Sequence, residues 1–413
     1  MADKNEKKLP VADREAARLL AIQTNETKHR RVGDLTLIAL FLSAIFTFAV
    51  LFWALPDRAV SETENRDLAS LPKFTAERLL EGKYTSEIAD YMADQFPARD
   101  FFVTVSAFWD RVLLRGAHNG ILFGEDGTLI PQDGVPNTDN IKTNLEAIDA
   151  FASYCKKNGI PTLTAITGRT ADVLSHTLPD YYGEYSDRLW ATLDEAASVY
   201  ENANLLLLSE PLKRRAEAGE YVYYRTDHHW TTLGAFYGAT EILSALGKDS
   251  LPLTAYTREV VSESFTGTAW STSGAFWTAP DTMEFFRYEG DGDFTTAIVD
   301  NGTSFEGFYD RSYLTKKDKY SAFIGGNHGL MTVTKNGGTD RPTMLLLKDS
   351  FAHAAVPFLA EQFDLVIVDL RYYKKLPVDL PDEYGIDTVL FLYNADTLTA
   401  SASQRLLTAG LEK

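Results

Sequence analysis

Residues 343–351 read Thr-Met-Leu-Leu-Leu-Lys-Asp-Ser-Phe, five apolar or β-favouring positions that run without a break into a charged turn. A strand exposed to water on one face would alternate polar and apolar residues. Thr343–Leu347 does not alternate, so it reads as a strand buried on both faces, which is the mark of a parallel sheet covered by helices. Lys348, Asp349 and Ser350 then form the junction with a helix expected over Phe351–Glu361, kinked at Pro357.

The same alternation of helix and short apolar strand extends in both directions. Upstream come a helical run Asp139–Lys157, a strand Thr162–Ile166, a helix Ser186–Glu201, a strand Asn204–Leu208 and a helix Thr232–Leu246. Downstream come strands Leu365–Leu370 and Thr388–Tyr393 and a helix Thr397–Leu407. Together they predict an α/β fold, a doubly wound parallel sheet whose functional groups collect at the carboxyl ends of its strands. Residues 250–340 lose the helical period and gain Gly, Thr, Ser and aromatics, with turn signals at Glu289–Gly292 and Asn336–Gly338; they read as a β-rich insertion.

The amino-terminal region is of another kind. Residues 35–55, LTLIALFLSAIFTFAVLFWAL, hold 21 positions without a charge. As a helix they span about 31 Å, enough to cross the hydrocarbon core, which predicts one transmembrane helix. Thirty-four residues precede it and no A-x-A site follows Trp53, so the expectation is an uncleaved anchor rather than a signal peptide. Lys28, Arg30 and Arg31 lie just before the span, whereas Asp57, Glu62 and Glu64 outnumber Arg58 just after it. The positive-inside rule therefore puts the tail, residues 1–34, in the cytoplasm and the rest outside. Residues 57–130 carry short amphipathic stretches such as Thr75–Leu80 and Ser86–Met92 and read as a membrane-proximal helical collar; the catalytic domain is expected over 131–413.

Charge narrows the partners. Of 40 Lys and Arg and 58 Asp and Glu, the tail holds eight and six, so its net is +2 and the remainder of the chain carries −20. Nucleic-acid binding, which needs basic surface to neutralise phosphates, is excluded on that balance. A polyanionic acceptor is disfavoured unless a local basic site, around Lys348 and Arg371, offsets the field. The single cysteine, Cys155, leaves no intramolecular disulfide and no zinc ribbon; in its apolar helix it reads as packing.

Two motifs carry chemistry. In Tyr223-Tyr224-Arg225-Thr226-Asp227-His228-His229-Trp230, a carboxylate two residues from an imidazole can orient one ring nitrogen and leave the other as a general base. Asp227 and His229 fit that relation, and in extended chain His228 would face away as a structural histidine. At the second, Ser350 would stand above the carboxyl end of its strand with helix amides nearby, although Asp and Ser there are also ordinary helix caps. Ser, His and Asp together supply the three roles of serine acyl transfer. A metal site from Asp227, His228, His229 and either His328 or His353 is the weaker alternative, because adjacent histidines rarely converge on one ion; no metal and no cofactor is expected. His353 reads as a solvated helix residue, and Gly325-Gly326-Asn327-His328 as a hairpin turn or a backbone nest near the site.

The stretch Thr226–Trp230 resembles the signature of the DHHW family, relatives of the alginate O-acetyltransferase AlgJ/AlgX group within the SGNH hydrolase-like superfamily. Further resemblance lies in Ser61–Leu68, in Tyr91–Asp100, in Tyr320–Gly329, in Lys348–Phe351 and in Asp369–Tyr373. The resemblance implies Ser350 as nucleophile, His229 as base and Asp227 as its orienting partner, with the Asp-x-His element upstream of the serine. It departs at Lys348, where the superfamily block has glycine, and in lacking the superfamily's oxyanion Gly and Asn by motif. Asn394 and Arg371, each ending a strand, are the candidates for oxyanion or substrate contacts, with Trp230, Tyr224 and Asn327 beside the site and Tyr223, Tyr372 and Tyr373 as flanking rings. The implied activity is acetyl transfer onto a cell-envelope or secreted polysaccharide. A membrane-bound O-acyltransferase partner would bring acetyl across the bilayer. An acetyl esterase and a non-catalytic glycan-binding scaffold are the alternatives.

Overall fold

A computed structural model describes residues 11–61, 66–132, 134–179, 182, 185–338, 340–400 and 403–411. Of the Ser61–Leu68 motif, Glu62–Asn65 therefore lie outside the described residues. The chain forms two compact units, residues 1–61 with 67–99, and residues 62–66 with 100–413.

The first unit is built on one helix, Val11–Ala54, so the expected span continues from a helical tail without a break. It is the one helix among the described residues that is long and apolar enough to cross a membrane. The amphipathic helix Lys83–Asp94 belongs to the same unit, and Tyr91 packs edge-on against Phe52 with ring centroids 5.8 Å apart.

The helical collar expected over 57–130 is helical only as far as Val112. Helices Ala76–Leu80 and Lys83–Asp94 lie in the first unit, and Arg99–Val112 runs into the second. Residues Ala117–His118, Ile121–Phe123 and Leu129–Pro131 then pair as a small antiparallel sheet. Positive φ at Asn119 and Gly120 makes the first of its turns, the conformation that Asn and Gly tolerate best.

The second unit is organised by an eight-stranded sheet. Its strands are β1 Thr162–Thr167, β2 Leu205–Leu207, β3 Phe294–Ile298, β4 Thr303–Glu306, β5 Leu330–Lys335, β6 Thr343–Lys348, β7 Asp364–Val368 and β8 Thr388–Asn394. In space they run β4-β3-β5-β7-β6-β8-β1-β2. The stretch β7-β6-β8-β1-β2 is parallel, as expected, but β5, β3 and β4 add on antiparallel. The sheet is thus mixed rather than wholly parallel. The difference comes from the β-rich region, whose strands extend the main sheet and also form a hairpin, Thr257–Phe265 with Asp281–Arg287.

Burial on both faces explains the apolar runs. Met344 and Leu346 face one core together with the helix α2, Thr232–Ala245; Leu345 and Leu347 face the other with the helix α1, Thr138–Lys157. Cys155 sits in that second core, fully buried, and burial pushes its thiol up to about 12. At the other core, Gly234 and Gly238 let α2 approach closely: a Cβ at Gly234 would lie 2.1 Å from the Val222 carbonyl, and one at Gly238 2.6 Å from the Trp230 ring. Helix and Asp-His loop are therefore locked together.

β6 lies between β7 and β8, so the chain leaves β6 for one neighbour and later returns to its other side. A crevice opens at such a point beyond the carboxyl ends of the strands. Ser350 stands there.

Candidate active site

The turn after β6 is a 3₁₀ segment, Ser350–Ala355, followed by the short helix Val356–Leu359, where sequence had suggested one kinked helix. Asp349 is its cap: one carboxylate oxygen accepts from Phe351 N at 2.9 Å, and the other accepts from Asn394 N at 2.7 Å and Thr397 Oγ1 at 2.6 Å. The cap role falls to Asp349, which leaves the Ser350 hydroxyl for another contact.

That contact is His229. The distance from His229 Nε2 to Ser350 Oγ is 2.8 Å, and His229 Nδ1 is 2.5 Å from Asp227 Oδ1. Asp227 also accepts from the His229 backbone N–H at 3.0 Å and, through Oδ2, from Thr268 N at 2.8 Å and Thr268 Oγ1 at 3.1 Å. Burial works against the Asp227 anion, but the nearby His228 and His229, and the hydrogen bonds from His229 and Thr268, outweigh it and hold the carboxyl below its ordinary value. Ser350, His229 and Asp227 thus form one continuous line of contacts, across 121 residues of sequence between the histidine and the serine.

The loop carrying Asp227 and His229 is closed by a bridge between Tyr223 and Trp230 and pinned by Asp281, whose carboxylate accepts from Arg225 N, Thr226 N and Thr226 Oγ1. This compact turn, not extended chain, decides where His228 goes. Its ring lies 3.9 Å from that of His229 instead of facing away, and its Nδ1 meets Thr268 Oγ1 at 2.6 Å. Burial first, and His229 second, push His228 down to about 4, so it stays neutral near pH 7. Asp227, His228 and His229 do place one possible metal-ligand atom each within 4.8 Å of one another. Both nitrogens of His229 and one of His228 already have protein partners, however, which fits a hydrogen-bonded relay better than an open cation site.

The remaining candidates divide. Trp230 is fully buried, and its Nε1 donates to the Phe351 carbonyl at 2.8 Å, so it braces the serine turn rather than meeting substrate. Tyr224 is also fully buried, packed edge-on against Phe265 with centroids 4.9 Å apart, and is no sugar platform. Tyr223 donates to the Gly168 carbonyl at 2.7 Å, Tyr373 is buried, and of these rings Tyr372 alone is exposed.

Asn394 does not aim its amide at Ser350. Its Nδ2 donates to Gly168 O at 2.9 Å and Thr167 Oγ1 at 3.1 Å, and its Oδ1 accepts from Asp396 N, so it ties β8 to the loop after β1.

On the other side, Arg371 grips Asp369 through Nε at 2.9 Å and Nη2 at 2.6 Å. Asp369 also faces Lys348 Nζ at 3.4 Å. Asn327, in a turn with positive φ at Ile324, Gly325 and Gly326, approaches both cations, Lys348 at 3.4 Å and Arg371 at 3.3 Å. His353 is not solvated: it is buried, and its Nε2 lies 2.7 Å from Lys348 Nζ. Burial lowers the Lys348 ammonium to about 8 against the opposing pull of Asp369.

Sequence reasoning gave no role to several residues that complete the site. Gly267 and Thr268 of the β-rich region wrap Asp227, and a Cβ at Gly267 would come within 2.2 Å of the carboxylate. Tyr320 stacks on His229 at 3.9 Å with planes 13° apart, and its hydroxyl lies 3.3 Å from the Phe351 carbonyl. The Tyr320–Gly329 stretch carries its resemblance as a block, and nothing in its sequence marks the tyrosine.

The profile of the DHHW proteins matches residues 64–158 and 202–369, more than half of the chain. The chain belongs to the DHHW family. Over 193 residues this DHHW chain is 23% identical to a Pseudomonas fluorescens protein named "Probable alginate O-acetylase AlgJ", a stretch that covers 45% of this chain and 48% of that one. It therefore spans about half the length of that curated relative. Among solved structures it is similar to a DHHW family protein from Eubacterium siraeum DSM 15702, at 22% identity over 70% of this chain and 95% of that one, with a TM-score of 0.57. It is also similar to Bacillus cereus PatB1, at 22% identity over 68% of this chain and 98% of that one, with a TM-score of 0.58. These likenesses are of fold.

Proposed function

We propose that this DHHW protein is a membrane-anchored, extracytoplasmic acyl-transfer enzyme of SGNH hydrolase-like type, which O-acetylates a cell-envelope or secreted polysaccharide through an acyl-Ser350 intermediate. The observation that carries the reading is the relay Ser350 Oγ to His229 Nε2 at 2.8 Å and His229 Nδ1 to Asp227 at 2.5 Å. The name of its AlgJ relative supports acetylation of a polysaccharide as the class of reaction.

The chemistry follows from those contacts. As Ser350 Oγ bonds to the acyl carbon of the donor, His229 Nε2 takes the hydroxyl proton, and Asp227 holds the imidazolium that results. The bond from the acyl carbon to the donor's leaving oxygen breaks, and that oxygen receives the proton from Nε2. An acceptor hydroxyl then attacks the acyl-serine, its proton passes to Nε2, and Ser350 is released when the proton returns to Oγ. The membrane helix and the excess of positive charge before it support an anchor with the catalytic unit outside. A partner of membrane-bound O-acyltransferase type would then supply acetyl from the cytoplasm.

The test uses the full-length chain in detergent. A serine-directed phosphonate is expected to label Ser350, and Ser350→Ala is expected to lose on the order of 10³-fold or more of acetate release from an aryl acetate. Activity that survives Ser350→Ala, or that a chelator abolishes while Ser350→Ala is silent, overturns the reading.

A further inference from the structure

A surface helix in water turns its apolar stripe to the core and its charges outward. Along helix Arg99–Val112, which belongs to the second unit from Asp100 onward, the reverse holds. Val103, Ala107 and Asp110, spaced i, i+4, i+7, face the protein. A Cβ at Gly274 would lie 3.1 Å from Val103 Cγ1, Ala107 is fully buried, and Asp110 accepts from Arg115 Nη1 at 2.9 Å and meets His118 Nδ1 at 2.6 Å. Phe101, Phe108, Trp109 and Val112, at the i, i+7, i+8, i+11 spacing of the other face, are all exposed, Phe101 at 62% and Trp109 at 55%. The turn continues through Leu113, whose N donates to the Trp109 carbonyl at 2.8 Å and whose side chain is exposed as well. Phe276 widens this face, its ring centroid 6.4 Å from that of Phe108. Among the described residues of the second unit, seven of the fourteen large apolar side chains exposed to water fall between Phe101 and Leu114, so they form a patch rather than a scatter.

Such a patch meets either another protein or a bilayer, and three features favour the bilayer. The chain brings a membrane with it: the apolar helix ends at Ala54, 45 residues before Arg99, which holds the patch at high local concentration over the leaflet that the anchor enters. The side chains are those of the headgroup region, Phe and Trp rings with Arg111 and Arg115 exposed on the border. The carboxylates of the helix, Asp100 and Asp110, fall on the other side by the same spacing. Anionic headgroups repel the acidic remainder of the chain beyond the anchor, which turns this face toward the leaflet. The patch is also joined to the site. Phe276 lies eight residues after Thr268, whose N donates to Asp227, and Trp270 N between them donates to the Thr226 carbonyl at 2.9 Å. Docking the patch therefore sets how the histidine loop and Ser350 are presented above the membrane.

We infer that helix Arg99–Val112, with Leu113 and Phe276, docks the second unit onto the outer leaflet of the bilayer, its apolar face lying at headgroup level. The choice of occupant rests on the membrane-anchor reading, and the experiment probes the two separately. Full-length protein with one introduced cysteine, Leu113→Cys, Ser198→Cys or Phe46→Cys, is labelled with an NBD fluorophore and reconstituted in vesicles of phosphatidylcholine and phosphatidylglycerol; Cys155 is buried. The Leu113→Cys probe is expected to lose about half of its fluorescence to lipids with a doxyl group near the headgroup, less to lipids with the group near the chain end, and little to aqueous iodide. The Ser198→Cys probe, on an exposed position of the same unit, is expected to respond to iodide and not to lipid. Phe101→Asp combined with Trp109→Asp, both at exposed positions, should open the Leu113→Cys probe to iodide as far as the one at Ser198. Three results overturn the docking: a Leu113→Cys probe as open to iodide as Ser198→Cys in the parent, one shielded from iodide and lipid alike, which places protein on the face, or one unmoved by the double substitution. The Phe46→Cys probe decides the anchor by itself. Quenched most from the chain end, it upholds the span whatever Leu113→Cys reports; open to iodide, it removes the span even where Leu113→Cys meets lipid.

Discussion

The two flanks of Ser350 use the same kinds of side chain to opposite ends. Toward β7, Lys348, Asp369, Arg371 and His353 are packed together, with the side chains of Lys348 and Asp369 at 0% and 1% exposure. Toward β8, Arg169 is buried and bound through Nε and Nη2 to Asp172, and Asp396 is the exposed acid near it. Charge alone does not mark a binding site. What separates the flanks is which member of each cluster meets water: toward β7 it is the Arg371 guanidinium, over a buried Lys348 and Asp369, and toward β8 it is the Asp396 carboxylate, beside an Arg169 that is buried and closed on Asp172.

The comparison breaks first at Asp369. Asp369→Asn removes the anion that serves both Lys348 and Arg371, and the expected loss is about 3–5 kcal/mol in a denaturant titration of the detergent-solubilised chain, as for one partner of a buried pair. A loss under about 1 kcal/mol would mean the cluster is wetter than its burial implies.

Lys348 offers the next test, through pH. Its folded value of about 8 lies below the ordinary lysine value of 10.5, so between those limits the unfolded chain binds more protons and stability rises with pH. Relative to Lys348→Met, the parent should gain on the order of 3 kcal/mol from pH 8 to pH 10.5, and no relative gain below pH 7. A flat difference across that range would remove the desolvated ammonium from the account.

On the β8 flank, Asn394→Ala deletes the amide that ties β8 to Gly168 and should cost about 1–3 kcal/mol. It should also loosen the loop that carries Arg169. The smallest effect belongs to Tyr372→Ala, which removes a ring that is 48% exposed and should shift stability by under about 0.5 kcal/mol. A large loss there would show that the packed part of the β7 flank extends further than the ion cluster.

How much of this could be read in advance follows from how local each feature is. Thr343–Leu347 and Thr388–Tyr393 declared themselves as strands because burial on both faces leaves an unbroken apolar run, and α1 and α2 because their periods are long. The direction in which β3, β4 and β5 pair is not written in any one of them, since it depends on which distant edge is free. Asp227 and His229 were legible because the contact joins residues two apart. Their link to Ser350 had to be supplied from chemistry. Thr268, Arg169 and Asp396 had no local signature that tied them to the serine; each is a single polar residue at the start of a different short helix. His353 misled because a 3₁₀ turn, unlike the expected α-helix, buries every residue from Phe351 to Ala355.

Cys155 has a practical consequence. Its thiol is buried in the α1 core and held protonated at any workable pH, so toward maleimides the native protein behaves as if it had no cysteine. Any cysteine introduced on the surface becomes the single addressable thiol. A pair of such substitutions, one at Thr24 in the helical tail and one at Ser198 in the second unit, would let a membrane-impermeant reagent report the sidedness of each without a prior thiol-free background.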